Sequence, residues 1–184
     1  MIVGTGTMSQ SDAFSALHEN VWHASKNLPS VPHGGVFWIG FDEGDLYRSR
    51  QSPLRRLDFH GLIVTMADED EDGIDKHRER SPLAPTQEIA DAIVSRLLDL
   101  EQAQGRYIVP VHCVQGAYRS GAVVEWMVRD LGVQEDKTSR RVIQSPRQPT
   151  FNKAFLRMLT TASDRLAPPS MRAKILRNRQ LSLR

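Results

Sequence analysis

The only cysteine of the chain, Cys113, stands in the segment VHCVQGAYRSG, between an apolar run and an arginine followed by a serine. The thiolate form of cysteine is a nucleophile suited to covalent catalysis. Arg119, six positions later, has a planar guanidinium that can hold two oxygens of a phosphoryl group, which lysine does not do. Ser120 can donate a hydrogen bond to the sulfur, and His112 is placed to support the loop rather than to react. These residue types are suited to moving a phosphoryl group onto sulfur.

The segment around Cys113 is predicted to be a loop that leaves a strand and enters a helix. YIVPV at 107–111 is a short apolar run typical of a buried strand, although Pro110 cannot donate a ladder hydrogen bond. Residues 122–131 carry apolar side chains at helical spacing and end at Gly132. The N–H groups of a tight turn and of a helix start converge on anions and favour a thiolate among them. We therefore expect a phosphate-binding loop formed by Val114, Gln115, Gly116, Ala117, Tyr118 and Arg119.

The periodicity elsewhere predicts alternating helices and strands. Apolar residues recur every three or four positions in 11–28 and again in 86–103, where Thr86 is placed to be the N-cap. The runs GGVFWIG at 34–40 and LIVTM at 62–66 are short, apolar and rich in aromatic or β-branched residues, as strands are. The alternation predicts an α/β fold in a single domain, with a mostly parallel central sheet flanked by helices.

Length and composition are those of one globular domain. The chain has 184 residues, of which 40% are hydrophobic and 25% are charged, close to the averages for globular proteins. One cysteine cannot form an internal disulfide, which is typical of a reducing compartment. The segment MIVGTGTM lacks the basic start and the apolar stretch of a signal peptide, and no run of 18 apolar residues occurs. We therefore expect a cytoplasmic protein that makes no contact with a membrane.

The cysteine and histidine residues do not form a metal-binding pattern. There is one cysteine, and the histidines show neither H-x-H nor H-E-x-x-H spacing. The glycines near the start, GTG, are not followed by the strand-to-helix unit of a dinucleotide fingerprint. The sequence therefore predicts no metal ion and no cofactor.

Charge is distributed unevenly along the chain, although the net charge is only +2. Residues 163–184 contain six basic residues against one acidic residue. We treat this stretch as a basic tail that could contact the phosphates of a nucleic acid. The opposite extreme is ADEDEDGID at 67–75, an acidic run typical of a solvated loop.

The spacing H-C-x-x-G-x-x-R-S at 112–120 resembles the signature of the cysteine-dependent protein tyrosine phosphatases, and the segment as a whole resembles the dual-specificity branch. SPLRRLDFHGLIVTM at 52–66 is similar to the short helix and strand of that family. SPRQPTFNKAFLRML at 145–159 is similar to the stretch that introduces its last helix, with Phe155 and Leu159 packing inward. The resemblance is specific in the loop and extends over most of the chain.

The resemblance implies a division of the chain into three parts. A phosphatase domain of the dual-specificity type is expected at 34–162. It would be preceded by an N-terminal helical extension at 1–33 and followed by the basic tail at 163–184.

The family's reaction has two steps, and the resemblance assigns the residues of both. Cys113 attacks phosphorus in line and forms a cysteinyl-phosphate, while Arg119 holds the phosphoryl group and an aspartic acid protonates the departing oxygen. Water then hydrolyses the intermediate, and the hydrogen bond from Ser120 makes the sulfur a better leaving group.

The general acid is the point at which this sequence departs from the family. In relatives the acid lies some thirty-odd residues before the cysteine, but no aspartate stands at that distance here. Either the acidic loop directly follows the strand at 62–66, which makes Asp68 or Asp70 the acid, or the loop is displaced and Asp75 serves. We favour Asp68, because the carboxyl end of a strand would deliver it to the active edge. The other interpretation is that the acidic run only solvates a loop.

The uncharged side chains of the loop predict the class of substrate. A highly phosphorylated inositol headgroup would favour lysines there, since each phosphate brings about 1.5 to 2 negative charges. We therefore expect a monophosphate, namely phosphotyrosine, phosphoserine or phosphothreonine in a protein or peptide. Tyr118 is bulkier than the residue usual in relatives, so it either narrows the mouth of the pocket or only packs.

Two other functions are consistent with the same loop. The family includes RNA 5′-triphosphatases that lack a conventional acid, and the basic tail could then track nucleic-acid phosphates. Against this, no aromatic residue lies among the charges of the tail. The chain could also be a phosphate-binding module with little turnover, although binding alone does not need Cys113.

Overall fold

The computed structural model describes residues 1–9, 12–13, 35–42, 60–66, 84–113, 118–136 and 151–183. Their core is a five-stranded sheet with the order β3-β2-β4-β1-β5, in which every pairing is parallel. The strands are β1 (Ile2–Ser9), β2 (Trp38–Asp42), β3 (Gly61–Thr65), β4 (Tyr107–Cys113) and β5 (Gln134–Glu135). The predicted α/β domain with a parallel sheet is confirmed.

Helices pack against this sheet and join its strands. The described part of the chain contains α1 (Gln87–Gln102), α2 (Tyr118–Trp126), α3 (Lys153–Leu166) and α4 (Pro169–Ser182). A π-helical turn, Met127–Leu131, continues α2 and ends at Gly132, whose φ of 70° is left-handed as predicted for a helix stop. None of these four helices is both long enough and apolar enough to cross a membrane.

The helix predicted at 86–103 is confirmed as α1. Thr86 Oγ1 accepts a hydrogen bond from the Ile89 N–H at 3.3 Å, so Thr86 is the N-cap. The apolar face of α1 is buried and consists of Ala90, Ile93, Val94, Leu97, Leu98 and Leu100. α3 packs against this helix, and its Phe155 and Leu159 are fully buried, as the sequence predicted.

β1 lies inside the sheet, between β4 and β5. It runs beside β4 from Ile2, opposite Tyr107, to Ser9, opposite Cys113. Residues 1–33 were expected to form a helical extension, but residues 2–9 are a strand of the sheet. Gly4 and Gly6 weaken the strand preference of β1. The strand is held by burial and by bonds such as that from Thr5 Oγ1 to the Val109 carbonyl at 2.8 Å. Of the helix predicted at 11–28, only residues 12–13 are described, and both are helical.

The C-terminal stretch predicted as a basic tail forms the end of α3 and all of α4. α4 buries Met171 and Ile175 against the domain. Its Arg179 pairs with Asp130, a fully buried residue of the π-helical turn, at 2.6 Å between Nη2 and Oδ2. The same guanidinium bonds Asp164 at 2.7 Å. α4 is therefore fixed to the domain by apolar burial and by a buried ion pair.

Candidate active site

The carboxyl ends of the parallel strands meet at one edge of the sheet, which is where ligands bind in α/β folds. Cys113 ends β4 at this edge, next to Ser9 at the end of β1. α2 begins five residues after Cys113, so its N-terminus faces the thiol. The residues that connect the strand to the helix lie outside the described residues; they are Val114, Gln115, Gly116 and Ala117.

The thiol of Cys113 contacts the first turn of α2. Its sulfur lies 3.2 Å from Ser120 Oγ, and both side chains are buried, with Cys113 only 1% exposed. The structure therefore brings together the two residues that the sequence pairs as nucleophile and sulfur hydrogen-bond partner. Ser120 lies in the same turn as Arg119 because α2 starts at Tyr118.

Arg119 is buried in the first turn of α2, and its side chain reaches across the sheet. It is 2% exposed, and its Nη1 donates to the Met66 carbonyl at 2.5 Å. Met66 follows β3, and β2 lies between β3 and β4 in the sheet. The guanidinium thus spans the ends of three strands. Desolvating such a charge costs several kcal/mol unless it is well compensated. A residue that only filled the core would therefore be expected to be apolar and not an arginine.

Asp42 is a site residue that the sequence analysis missed. It ends β2, the strand between β3 and β4, and it is fully buried. Its carboxylate accepts a hydrogen bond from Thr65 Oγ1 at 3.1 Å, and its carbonyl accepts from the Met66 N–H at 2.8 Å. The signal was an acidic residue directly after a buried apolar run, but the predicted strand stopped at Gly40. Asp42 therefore contributes negative charge at this edge of the sheet, where it acts on His112 against the positive charge of Arg119.

His112 is buried next to Cys113 in the central strand. Burial is the main cause that lowers its pKa, from 6.5 to about 4, and the positive charge of Arg119 lowers it further while Asp42 opposes the shift. The imidazole is therefore neutral at physiological pH. A neutral, buried side chain fits the predicted role of supporting the loop rather than transferring a proton.

The depressed pKa of His112 predicts a specific loss of stability in mild acid. The unfolded chain binds a proton near pH 6.5, whereas the native state resists protonation until about pH 4. The contribution of His112 to the free energy of unfolding is therefore complete above pH 6.5. It falls as the pH drops from 6.5 to about 4, by an amount on the order of 3 kcal/mol. Urea unfolding at a series of pH values measures the slope.

The matched control for this prediction is His60, an exposed residue beside β3. His112→Asn is expected to flatten the dependence of the unfolding free energy on pH between 4 and 6.5, the interval set by the two pKa values. His60→Asn should keep the wild-type slope. An unchanged slope in the His112 variant would show that other groups control the acid response.

Of the remaining predicted site residues, the structure describes Tyr118 but not the candidate acids. Tyr118 opens α2 and is partly buried, and its carbonyl accepts a hydrogen bond from the Asn152 N–H at 3.1 Å. The three candidate acids, Asp68, Asp70 and Asp75, lie outside the described residues. Across the ranges that the structure does describe, no three His, Cys, Asp or Glu side chains cluster closely enough to hold a metal ion.

The geometry of the described residues provides a thiol at a strand end, a helix N-terminus facing it and a buried arginine in the same helical turn as the serine that contacts the thiol. This combination can bind an oxyanion and bring a sulfur nucleophile to its central atom. No protein family, curated protein or solved structure matches the chain. The interpretation of the site accordingly depends on its own residues and geometry.

Proposed function

We propose that this chain is a cysteine-dependent phosphatase that hydrolyses phosphomonoesters of proteins or peptides. In the first step the Cys113 thiolate forms a bond to phosphorus, the ester P–O bond breaks, and the departing oxygen takes a proton from a carboxylic acid. In the second step water attacks phosphorus and gives its proton to the same carboxylate. The sulfur leaves as thiolate and inorganic phosphate is released.

The observation that carries this proposal is the burial of the Arg119 side chain in the helical turn whose Ser120 contacts Cys113. A cysteine that only fills the core needs neither a hydroxyl at 3.2 Å nor a desolvated arginine six residues later. In a phosphatase each has a purpose, because the arginine binds phosphoryl oxygens and the serine stabilises the departing sulfur. The same set supports a dual-specificity phosphatase-like arrangement of the domain, and the lone cysteine supports a cytoplasmic location.

The contact between Arg119 and Met66 supports Asp68 as the general acid. Asp68 follows Met66 by two residues, so their Cα atoms are at most about 7 Å apart. The end of β3 touches the phosphate-binding arginine through the Met66 carbonyl. Asp70 and Asp75 are separated from Met66 by longer stretches of chain.

Three variants test the assignment of the acid. Asp68→Asn is expected to remove the alkaline limb of the pH profile and to lower kcat on an alkyl phosphate ester by about 10²- to 10⁴-fold. Hydrolysis of p-nitrophenyl phosphate should fall much less, because its leaving group departs without a proton. Asp70→Asn and Asp75→Asn serve as matched controls, and retention of the alkaline limb by Asp68→Asn would transfer the role to another residue.

The alternative function, an RNA 5′-triphosphatase, receives less support from the contacts of the C-terminal basic residues. Arg179 pairs with Asp130 and Asp164, and Lys174 pairs with Glu101 at 2.7 Å. Arg165 pairs with Asp91. These side chains contribute to folding, and their charges are partly neutralised, so the surface is a weaker track for nucleic-acid phosphates.

A comparison of substrates tests the proposed function directly. We expect phosphate release from p-nitrophenyl phosphate and from phosphopeptides, and at most slow release from RNA with a 5′-triphosphate. A preference for the RNA would establish the alternative. Binding of phosphate without turnover of any ester would establish a phosphate-binding module.

A further inference from the structure

A cavity of about 600 Å³ lies between the π-helical turn and α3, outside the candidate active site. Among the described residues that line it, three are cationic and none is acidic; the cations are Arg129, Lys153 and Arg157. Phe151 and Leu156 add apolar surface. The cavity therefore combines positive charge with apolar walls, which suits a ligand that carries both anionic groups and carbon surface.

The cations differ in how they are held. Arg129 is fixed, because its Nη2 donates to Thr160 Oγ1 at 2.6 Å and its Nε donates to Asp130 at 2.8 Å. Asp130 also pairs with Arg179, so its charge is shared between two arginines. Lys153 is exposed at the first position of α3 and has no ion pair among the described residues. The N-terminus of α3 adds partial positive charge at the same end of the cavity.

The cavity is connected to the candidate active site through Asn152. This fully buried residue lies between Phe151 and Lys153, and its N–H donates to the Tyr118 carbonyl at 3.1 Å. Tyr118 directly precedes Arg119 in α2. The near end of the cavity is therefore within one hydrogen bond of the phosphate-binding loop. From Tyr118 to Arg129 the helix rises about 16 Å, which is the length of about five extended residues.

We propose that this cavity binds the acidic segment of a peptide substrate that flanks the phosphorylated residue. The inference deepens the proposed phosphatase function and rests on it. Carboxylates of the segment pair with Lys153, Arg157 and Arg129, and an apolar side chain packs on Phe151 and Leu156. A nucleic acid fits less well, because single strands are bound by successive aromatic platforms and the described part of this cavity's lining has one aromatic residue, Phe151.

Equilibrium binding tests the proposal without turnover. The probe is a fluorescent, unphosphorylated peptide of about five residues, rich in glutamate with one leucine, a length that spans the distance from Tyr118 to Arg129. Lys153→Glu is expected to weaken its binding by about three- to tenfold at low salt, because one attractive contact becomes repulsive. A glutamate at the first helical position is favourable for α3, so the variant should fold. Arg157→Gln is expected to weaken binding in the same direction.

The matched control is Arg177→Glu, a reversal of the same charge at an exposed position of α4 away from the cavity. This variant should bind the peptide as the wild type does. Equal loss in Lys153→Glu and Arg177→Glu, or no loss in either, overturns the proposal. Tighter binding of a single-stranded RNA of equal charge, lost in Lys153→Glu, also overturns it and assigns the cavity to nucleic acid.

Turnover separates failure of the cavity from failure of the proposed function. With the wild type, kcat/KM should be about three- to tenfold higher for a phosphopeptide with acidic flanks than for one with neutral flanks, and Lys153→Glu should remove this preference while leaving p-nitrophenyl phosphate unaffected. Hydrolysis without any preference contradicts the proposal for the cavity alone. Cavity-dependent binding with no hydrolysis of any ester contradicts the proposed phosphatase alone.

Discussion

Replacing Cys113 by serine is expected to lower kcat on p-nitrophenyl phosphate by about 10⁴-fold or more, to the background of the assay. A serine hydroxyl is not ionised at neutral pH, so the nucleophile of the first step is lost. The fold should be preserved, because serine is close to cysteine in size and can hydrogen-bond to Ser120, whose oxygen lies 3.2 Å from the sulfur. Steady-state kinetics and a thermal unfolding curve of the same preparation measure both properties.

Ser120→Ala is the graded control for this result. It keeps the nucleophile and removes the hydrogen bond to the sulfur, so a loss of about 10- to 10²-fold is expected. The loss should fall on the breakdown of the intermediate, which appears as a burst of p-nitrophenol followed by slow turnover. If Cys113→Ser retained wild-type activity, Cys113 would be a core residue and the assignment would be wrong.

Arg119→Lys is the second variant with a large expected effect. Lysine keeps the positive charge but cannot hold two phosphoryl oxygens in one plane, so kcat/KM should fall by about 10²- to 10³-fold. The buried site also loses the fixed geometry that the guanidinium gains from the Met66 carbonyl at 2.5 Å. Comparison of kcat/KM between the variant and the wild type, with unfolding curves as a check on folding, provides the measurement.

The control is Arg96→Lys in α1, where the guanidinium lies 5.1 Å from the centre of the Phe37 ring. The guanidinium of Arg96 also makes a specific contact, with an aromatic ring, but Arg96 is not part of the candidate site. Its replacement should leave kcat/KM unchanged within about twofold, as for a surface substitution. Equal activity of Arg119→Lys and the wild type would mean that Arg119 only fills space.

The sequence predicted the elements whose signals are local. α1 has a capping threonine and a regular apolar face, and Gly132 marks the end of the π-helical turn. The apolar run before Cys113 is β4, and the residues after the loop begin α2. The contact between Cys113 and Ser120 also follows from local spacing, because Ser120 follows Cys113 by seven positions across one strand-to-helix connection.

Other features depend on contacts that spacing along the chain does not encode. β1 contains two glycines that weaken its strand signal, and its place in the sheet is set by pairing with β4 and β5. Asp42 became part of the site only through the strand order, which places β2 between β3 and β4. Arg179 and Asp130 are 49 residues apart in sequence, so the anchoring of α4 was not visible as a local pattern.

Trapping the intermediate decides whether Cys113 is the nucleophile. The enzyme is mixed with p-nitrophenyl phosphate, denatured rapidly during turnover, digested and analysed by mass spectrometry. We expect one added phosphoryl group on the peptide that contains Cys113, absent when Cys113→Ser is treated in the same way. Turnover by the wild type with Cys113 unmodified at every time point would rule out a cysteinyl-phosphate intermediate.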